Sequence, residues 1–503
     1  MKRAELLLLG FLMLAVLAAG AAVSLHLLEA VPHVSDAIAY AFQAKIFASG
    51  RLALPPSPLP ELFEQGHVIV DESRWSGKYP PGWPIILAAG FLAGAPWLVN
   101  PLLSALSLFL VWKLGRELFD STTGLLAAAL LSIAPMFVLM SGDMLAHPAA
   151  LAASLATLLA VVRADKDRRK ATTALAGFLA GITCLIRPFT GLTLLWPAFA
   201  WLIWRRRSLS DRLGTLGIVL AGTLPGLLGY LAYNSLLFGN PLEAGYALSN
   251  PTDGVDAFSI QAAIGNLPLW WQRLNRLSWG WPWPDLMILL PLLVPGPGRG
   301  RDLMLAGCAA SLVVAHVPYF FFDIIYGGAR YAFEAFGPLA LLGARSLITL
   351  RDVYRRVAVR WPPKARTIAG SLLAASLGSA IAIFPLARML SREIPYHGRI
   401  YHGVTRQTVE SASQAGVGDN ALVFVDAPIF HYSSFFLENE LDPAGGARVY
   451  VRDIESLREA AIAAFPRREV WRIRVELTSV RGPNVYADAF SIRSVRWERL
   501  ASE

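Results

Sequence analysis

Cysteine is nearly absent from this chain of 503 residues, and the two present, Cys184 and Cys308, both lie inside apolar runs. That excludes a disulfide framework and a thiolate zinc site. Charge is also scarce, at 16% of residues, and the centres of the apolar runs are almost free of it. No internal repeat or low-complexity tract interrupts the pattern, and no small-x-small cleavage site follows the apolar stretch 6 to 28, which therefore reads as an uncleaved first helix rather than a signal peptide. What the chain has in abundance is apolar surface. Hydrophobic residues make up 55% of it and come in runs, far more than one soluble core buries. An integral membrane protein is predicted. The net charge of +9 would suggest nucleic acid in a soluble chain, but here it belongs to loops beside a bilayer, and no nucleic-acid partner is expected.

Runs able to cross the hydrocarbon fall at about 6 to 28, 101 to 115, 123 to 141, 148 to 162, 171 to 186, 189 to 204, 214 to 236, 284 to 296, 303 to 322, 332 to 348 and 367 to 387. Most Lys and Arg residues before position 390 collect in alternate connections, which places those connections and the amino terminus in the cytoplasm. The parity holds only if 83 to 99 does not cross, and Pro84, Pro101, Trp83 and Trp97 suit a helix lying at the outer interface. After 388 the texture changes to short apolar strands, "ALVFV" (421 to 425), "ARVYV" (447 to 451) and "VWRIRVEL" (470 to 477), with a helical stretch at 454 to 464. The expected fold is an α-helical polytopic membrane protein of about eleven transmembrane helices, with interfacial helices in the first outer loop (29 to 80). Its membrane domain covers 1 to 388, and a small extracytoplasmic α/β domain covers 389 to 503.

Once sides are assigned, the polar residues at helix ends share the outer face. The first outer loop carries Asp36, Asp71, Glu72, Arg74 and Lys78; later loops bring Asp143, His147, Arg187, Glu243, Tyr246, Asp323, Arg330 and Tyr331. Ionisable groups at membrane depth are costly unless paired or facing a wet cavity, so this convergence predicts a site. Asp36 follows Ser35, a candidate N-cap, and shares a helical face with Tyr40 and Gln43. Taken alone, it would do no more than favour a helix amino end. Beside the first membrane helix it is placed as a general base for a membrane-bound substrate.

In "SGKYPPGWP" (76 to 84) two prolines stiffen the backbone behind Lys78 and Tyr79, and Gly82 admits a close approach. Lys78, Arg187 and Arg330 are candidate ligands for a lipid phosphate, although each alone also suits an interfacial anchor. Tyr40, Tyr79, Asp143, His147, Glu243 and Tyr331 are candidate substrate contacts. Trp270, Trp271, Trp279, Trp281 and Trp283 read as an aromatic belt. No cofactor and no metal are expected; Asp71 and Glu72 are the acidic pair that a divalent ion would use.

An acid just after the first helix (Asp36), a "YPPG" segment preceded by lysine (78 to 82), an "FGNP" loop and a "GARY" motif resemble the integral-membrane GT-C glycosyltransferases, closest in style to aminoarabinose transferases and protein O-mannosyltransferases. The resemblance covers about 1 to 390. It implies transfer of a sugar from a polyprenyl-phosphate donor, with inversion, to a hydroxyl of a lipid, glycan or protein acceptor at the outer face of a bacterial inner membrane. On that pattern Asp36 is the base, and Lys78 and Arg330 bind phosphate. Many relatives carry Asp-Glu where this chain has Asp36-Ala37, which weakens a metal reading. A lipid-linked saccharide transporter and a membrane acyltransferase using His147 are the alternatives.

Overall fold

In a computed structural model, the chain is described at all residues except 1–2, 58, 72, 250–256, 277–278, 282–284, 295, 297, 323, 326–327, 400–405, 481–488 and 501–503. Helix α1 (Arg3–Ala22) opens it and extends through a wider turn, Val23–Leu27. The first long connection holds α2 (Ser35–Ala48), the hairpin β1 (Val68–Val70) and β2 (Trp75–Gly77), and α3 (Gly82–Leu92). The bundle continues with α4 (Val99–Leu118), α5 (Ser121–Ser132), α6 (Pro135–Met140), α7 (His147–Asp167), α8 (Lys170–Ile186), α9 (Pro188–Trp204) and α10 (Leu209–Phe238). Then come α11 (Gly245–Ser249), α12 (Ile260–Arg276), α13 (Leu290–Leu293), α14 (Arg299–His316), the small ladder β3 (Ile324–Ile325) with β4 (Gly328–Ala329), α15 (Phe336–Val357) and α16 (Pro363–Arg388).

The chain is a polytopic membrane protein: among the described residues, six helices are long and apolar enough to cross a bilayer. They are α1, α4, α7, α10, α15 and α16 with their flanking turns, and α3, α5, α8 and α9 are shorter and apolar. Two expected spans differ from the sequence reading. The run 123 to 141 is broken at Ala134, which is extended because Pro135 follows it. Among its described residues the run 284 to 296 yields a 3-10 turn, Asp285–Leu289, and the single turn of α13, since Pro291 can only start a helix there. Ser35 does not cap α2 either: the helix begins at Ser35 itself, and Val34 precedes it without a side-chain cap.

Helix α7 is the axis of the bundle, buried nearly throughout and packed against α4, α8 and α9. Beside it, α8 and α10 meet along a glycine seam. A Cβ on Gly177 would overlap the Val219 carbonyl, and one on Gly226 would overlap the Gly181 backbone. Small residues four apart let two helix backbones touch in a setting where apolar burial gives little drive to associate.

Trp270, Trp279 and Trp281 do not form a belt: all three are buried, and Trp279 stacks on Trp281 at 5.2 Å and on Phe336 at 5.1 Å. Trp271 is exposed, and Trp283 lies outside the described residues.

Beyond α16 come α17 (Ile394–Arg399) and α18 (Arg406–Gln414), then a mixed sheet of β5 (Ala421–Asp426), β6 (Arg448–Arg452), β7 (Glu469–Val480) and β8 (Ala489–Arg499) in the order β6-β5-β7-β8. Strand β5 pairs in parallel with β6 and β7 and is buried from Ala421 to Val425, as a central strand covered on both faces should be. Helices α19 (Ile429–Phe436) and α20 (Arg458–Ala464) complete this α/β unit. It rests on the first loop. Phe436 packs on Phe42 at 5.0 Å, Tyr432 Oη donates to the Leu62 carbonyl at 3.2 Å, and Lys45 Nζ donates to the Leu437 carbonyl at 2.9 Å.

Candidate active site

The segment 76 to 84 is held at three points. Gly77 N donates to Gln43 Oε1 at 2.7 Å, which ties the end of β2 to α2. A Cβ on Gly82 would stand 2.7 Å from the backbone of Leu185 and Ile186, so the glycine admits the end of α8, immediately before Arg187. Trp83 Nε1 donates to the Met144 carbonyl at 2.9 Å, fixing the turn that leads to His147. Between these points Lys78 and Tyr79 face the start of α2.

Asp36 lies there. Its Oδ1 accepts from Tyr79 Oη at 2.7 Å and from Arg330 Nη2 at 2.6 Å, while Oδ2 has Arg330 Nη1 at 3.4 Å and His67 Nε2 at 3.8 Å. Burial pushes the Asp36 carboxyl up, but the Arg330 guanidinium and the Tyr79 hydroxyl outweigh it and hold the group well below the usual carboxylate range. Tyr79 is buried beside that carboxylate, which pushes its phenol up and keeps it a donor. Tyr40 stacks on Tyr79 with ring centroids 4.3 Å apart, and Tyr246 meets Tyr79 edge-on at 5.5 Å. Lys78 is buried with Nζ 5.5 Å from the Tyr79 ring and 5.7 Å from the Tyr246 ring, a cation between two π faces.

A second cluster adjoins the first. Glu334, fully buried, accepts from His147 Nδ1 at 2.9 Å and pairs with Arg187 Nε at 3.2 Å. Arg187 Nη1 lies 3.4 Å from His147 Nε2. Since a guanidinium only donates and a carboxylate only accepts, His147 carries its proton on Nδ1. Tyr40 senses Arg187, Asp36, Arg330 and Glu334 together, so the two clusters form one electrostatic site. Across the named side chains three cations face two carboxylates, an arrangement suited to one anionic guest.

The other expected contacts are more peripheral. Asp143 Oδ1 accepts from Met144 N at 2.6 Å and shapes the turn before His147. Tyr331 stacks on His316 at 5.1 Å, with the Arg330 guanidinium 5.5 Å from its ring. Glu243 stands half-exposed in the "FGNP" turn, which Gly239 opens at φ +76° and which delivers Tyr246; no described contact joins Glu243 to the cluster. Asp71 closes a surface turn by accepting from Ser73 N at 2.7 Å and Arg74 N at 3.0 Å. Glu72 and Asp323 lie outside the described residues. Among the described residues no group of three or more metal-ligating side chains assembles.

A family model described as dolichyl-phosphate-mannose-protein mannosyltransferase matches residues 86–227. No curated protein matches the sequence. Among solved structures, ArnT from Cupriavidus metallidurans bound to undecaprenyl phosphate is similar at a TM-score of 0.56 and 13% identity, with 96% of this chain and 97% of that one covered. The apo form of the same protein matches at 0.52 and 15% identity, covering 94% and 96%. The fold is that of the integral-membrane GT-C glycosyltransferases.

On this GT-C frame two site residues escaped the sequence reading. His67 sits in "EQGHVIV" with no patterned neighbour, and only the β1–β2 hairpin turns it toward Asp36. Glu334 is the one acid in the apolar run 332 to 348, and that isolation is the signal that marks it.

Proposed function

We propose that this chain is a glycosyltransferase that moves a sugar from a polyprenyl-phosphate donor to an acceptor hydroxyl at the outer face of the membrane, inverting the anomeric carbon. The observation that carries the reading is the gathering of Asp36, Lys78, Arg187 and Arg330, from three separate connections, around one site where cations outnumber carboxylates among the described residues. Asp36 acts as general base on the acceptor hydroxyl. Lys78, Arg187 and Arg330 neutralise the polyprenyl phosphate as it departs, a leaving group that needs charge compensation more than protonation. Tyr40 and Tyr79 wall the sugar, and Tyr331 backs Arg330. His147 and Asp143 act at one remove, through Arg187 and through the turn on which Trp83 docks. The ArnT structure holding undecaprenyl phosphate supports a lipid of that class as the donor carrier. The membrane is the inner membrane, and the site and the α/β unit are extracytoplasmic, with a lipid, a glycan or a protein as acceptor.

The test is release of polyprenyl phosphate by the protein in proteoliposomes. These are supplied with undecaprenyl-phosphate hexoses and pentoses and with an envelope extract of the source cells as acceptor. Turnover in the parent that Asp36→Asn abolishes while donor binding survives is the expected result. Parental turnover by Asp36→Asn removes the base, and donor binding without release in the parent favours a transporter.

A further inference from the structure

The Asp36 carboxylate has little room for a proton on Oδ1, where Tyr79 and Arg330 both donate, at 2.7 and 2.6 Å. Oδ2 is the less committed oxygen, and the group nearest to it after Arg330 is the imidazole of His67, Nε2 at 3.8 Å. That separation is too long for a direct hydrogen bond. It is also the span that a single oxygen bridges when it sits about 2.8 Å from each side.

The backbone of His67 is anchored on both sides: its N–H donates to Gln65 Oε1 at 2.7 Å, and its carbonyl accepts from Lys78 N at 3.3 Å. Gln65 also reaches the Ser35 carbonyl at 3.5 Å, which sets the ring's position relative to the start of α2. The ring lies edge-on to Tyr79 at 5.9 Å, and its Nδ1 is buried without a partner among the described residues. Nε2 makes no direct hydrogen bond among the described residues, while the side chain keeps 23% of its surface open. A histidine placed only for packing does not need to stand at the less committed oxygen of the site's acid.

We propose that the gap between Asp36 Oδ2 and His67 Nε2 holds the acceptor hydroxyl, and that His67 is a second catalytic base, which takes on the proton that Asp36 removes. The inference rests on the glycosyltransferase reading above. In the step, the acceptor O–H bond breaks and its proton passes to Asp36 Oδ2 and from there to Nε2, while the acceptor oxygen forms a bond to the anomeric carbon. The bond from that carbon to the phosphate oxygen breaks, and its electron pair leaves with the polyprenyl phosphate. Asp36 orients the hydroxyl through Oδ2 and stabilises the imidazolium, which returns its proton to water after the products depart. The charged and titratable groups that face the ring are Asp36 from α2, Lys78 and Tyr79 from the end of the hairpin, and Arg330 from the turn before α15. Burial, with Lys78 and Arg330 beside it, holds the imidazole below its usual range against the pull of Asp36, so it is neutral and ready to accept at pH 7.

The proteoliposome assay, run from pH 5.5 to 9 on the parent, His67→Gln, His67→Ala and Asp36→Asn, decides the matter. His67→Gln is expected to lower kcat by about 10²- to 10⁴-fold with donor KM changed by less than about twofold and Tm unchanged. The parent's rate falls on its acid side as His67 takes a proton, and His67→Gln lacks that limb. Added imidazole restores part of the rate to His67→Ala. His67→Gln with the parental kcat and pH profile overturns the proposal, as does a loss in His67→Ala that comes with a lowered Tm and no response to imidazole. Failure of the underlying reading looks different: Asp36→Asn turns over normally, or the parent releases nothing, and the relay falls with it.

Discussion

Asp36 and Arg330 stand 294 positions apart in the chain, yet the carboxylate is defined by that contact. With both partners mostly buried, removing the guanidinium leaves a charge in a low-dielectric site, a loss of about 3 to 5 kcal/mol. The sign of the pH response then inverts. In the parent the Asp36 group is held below its unfolded value, so its contribution to stability is present above that value and fades only as pH falls through the lowered one. In Arg330→Met the largest lowering influence is gone and burial is opposed only by Tyr79 and His67, which lifts the group, so stability is greatest in acid and declines as pH rises through the raised value. Thermal denaturation at pH 5 and pH 8 reads this directly: Arg330→Met is expected to melt higher at the lower pH. Glu334 calls for a different measurement, because it touches His147 and Arg187 rather than the expected substrate. Glu334→Gln keeps an oxygen for His147 but loses the charge that holds Arg187, and should raise donor KM about 10- to 100-fold with a smaller effect on kcat. Lys78, Arg187 and Arg330 were legible because each stands beside a proline or glycine at a helix end, and Asp36 because it follows Ser35 just beyond the first apolar run. His67 and Glu334 were not, since their partners lie 31 and 187 positions away and no local pattern points there.

At the scale of elements, hydropathy made most of the bundle readable, because a run long enough to span must be helical to satisfy its own backbone. It failed where length and proline disagree with composition, at Ala134–Pro135 and Pro291, and it missed α12, whose exposed and buried faces interleave and leave no apolar run. The seam between α8 and α10 was present as Gly177, Gly181, Gly222 and Gly226, but only the packing shows that the two pairs face each other. The seam also bears on the site: Arg187 follows α8, and α10 leads through Gly239 to Tyr246. Gly226→Val has no space for its side chain and should lower Tm by an overpacking cost of about 1 to 3 kcal/mol, and more if the helices separate. Donor KM should rise with it as Arg187 and Tyr246 move apart. Gly217→Ala, where nothing lies within 4 Å, should leave donor KM unchanged and should not lower Tm, since alanine favours a helix more than glycine does. If both variants lose the same stability, the loss does not come from the seam.

The whole molecule sets the loop bearing Asp36 between the bundle on one side and the α/β unit on the other. Strands β5, β6 and β7 of that unit coincide with apolar runs in the sequence, whereas its docking depends on aromatic pairs such as Phe42 with Phe436, which no sequence period reports. Phe436 is buried and also lies 6.3 Å from Trp75, at the start of the strand that delivers Lys78 and Tyr79. The ring therefore clamps α2 and β2 together from outside the bundle. Phe436→Ala removes about 3 to 5 kcal/mol of buried contact. The loss should stay local, because the α7-centred packing does not involve it. Limited trypsin digestion is the measurement: the variant should be cut faster at Arg51 and Arg74 in the first loop while the bundle fragment resists as in the parent. Its kcat should fall, since Asp36 and Tyr79 no longer hold a fixed spacing. Unchanged cleavage with unchanged kcat would mean that hydrogen bonds such as Gln43 to Gly77 hold the loop without the α/β unit.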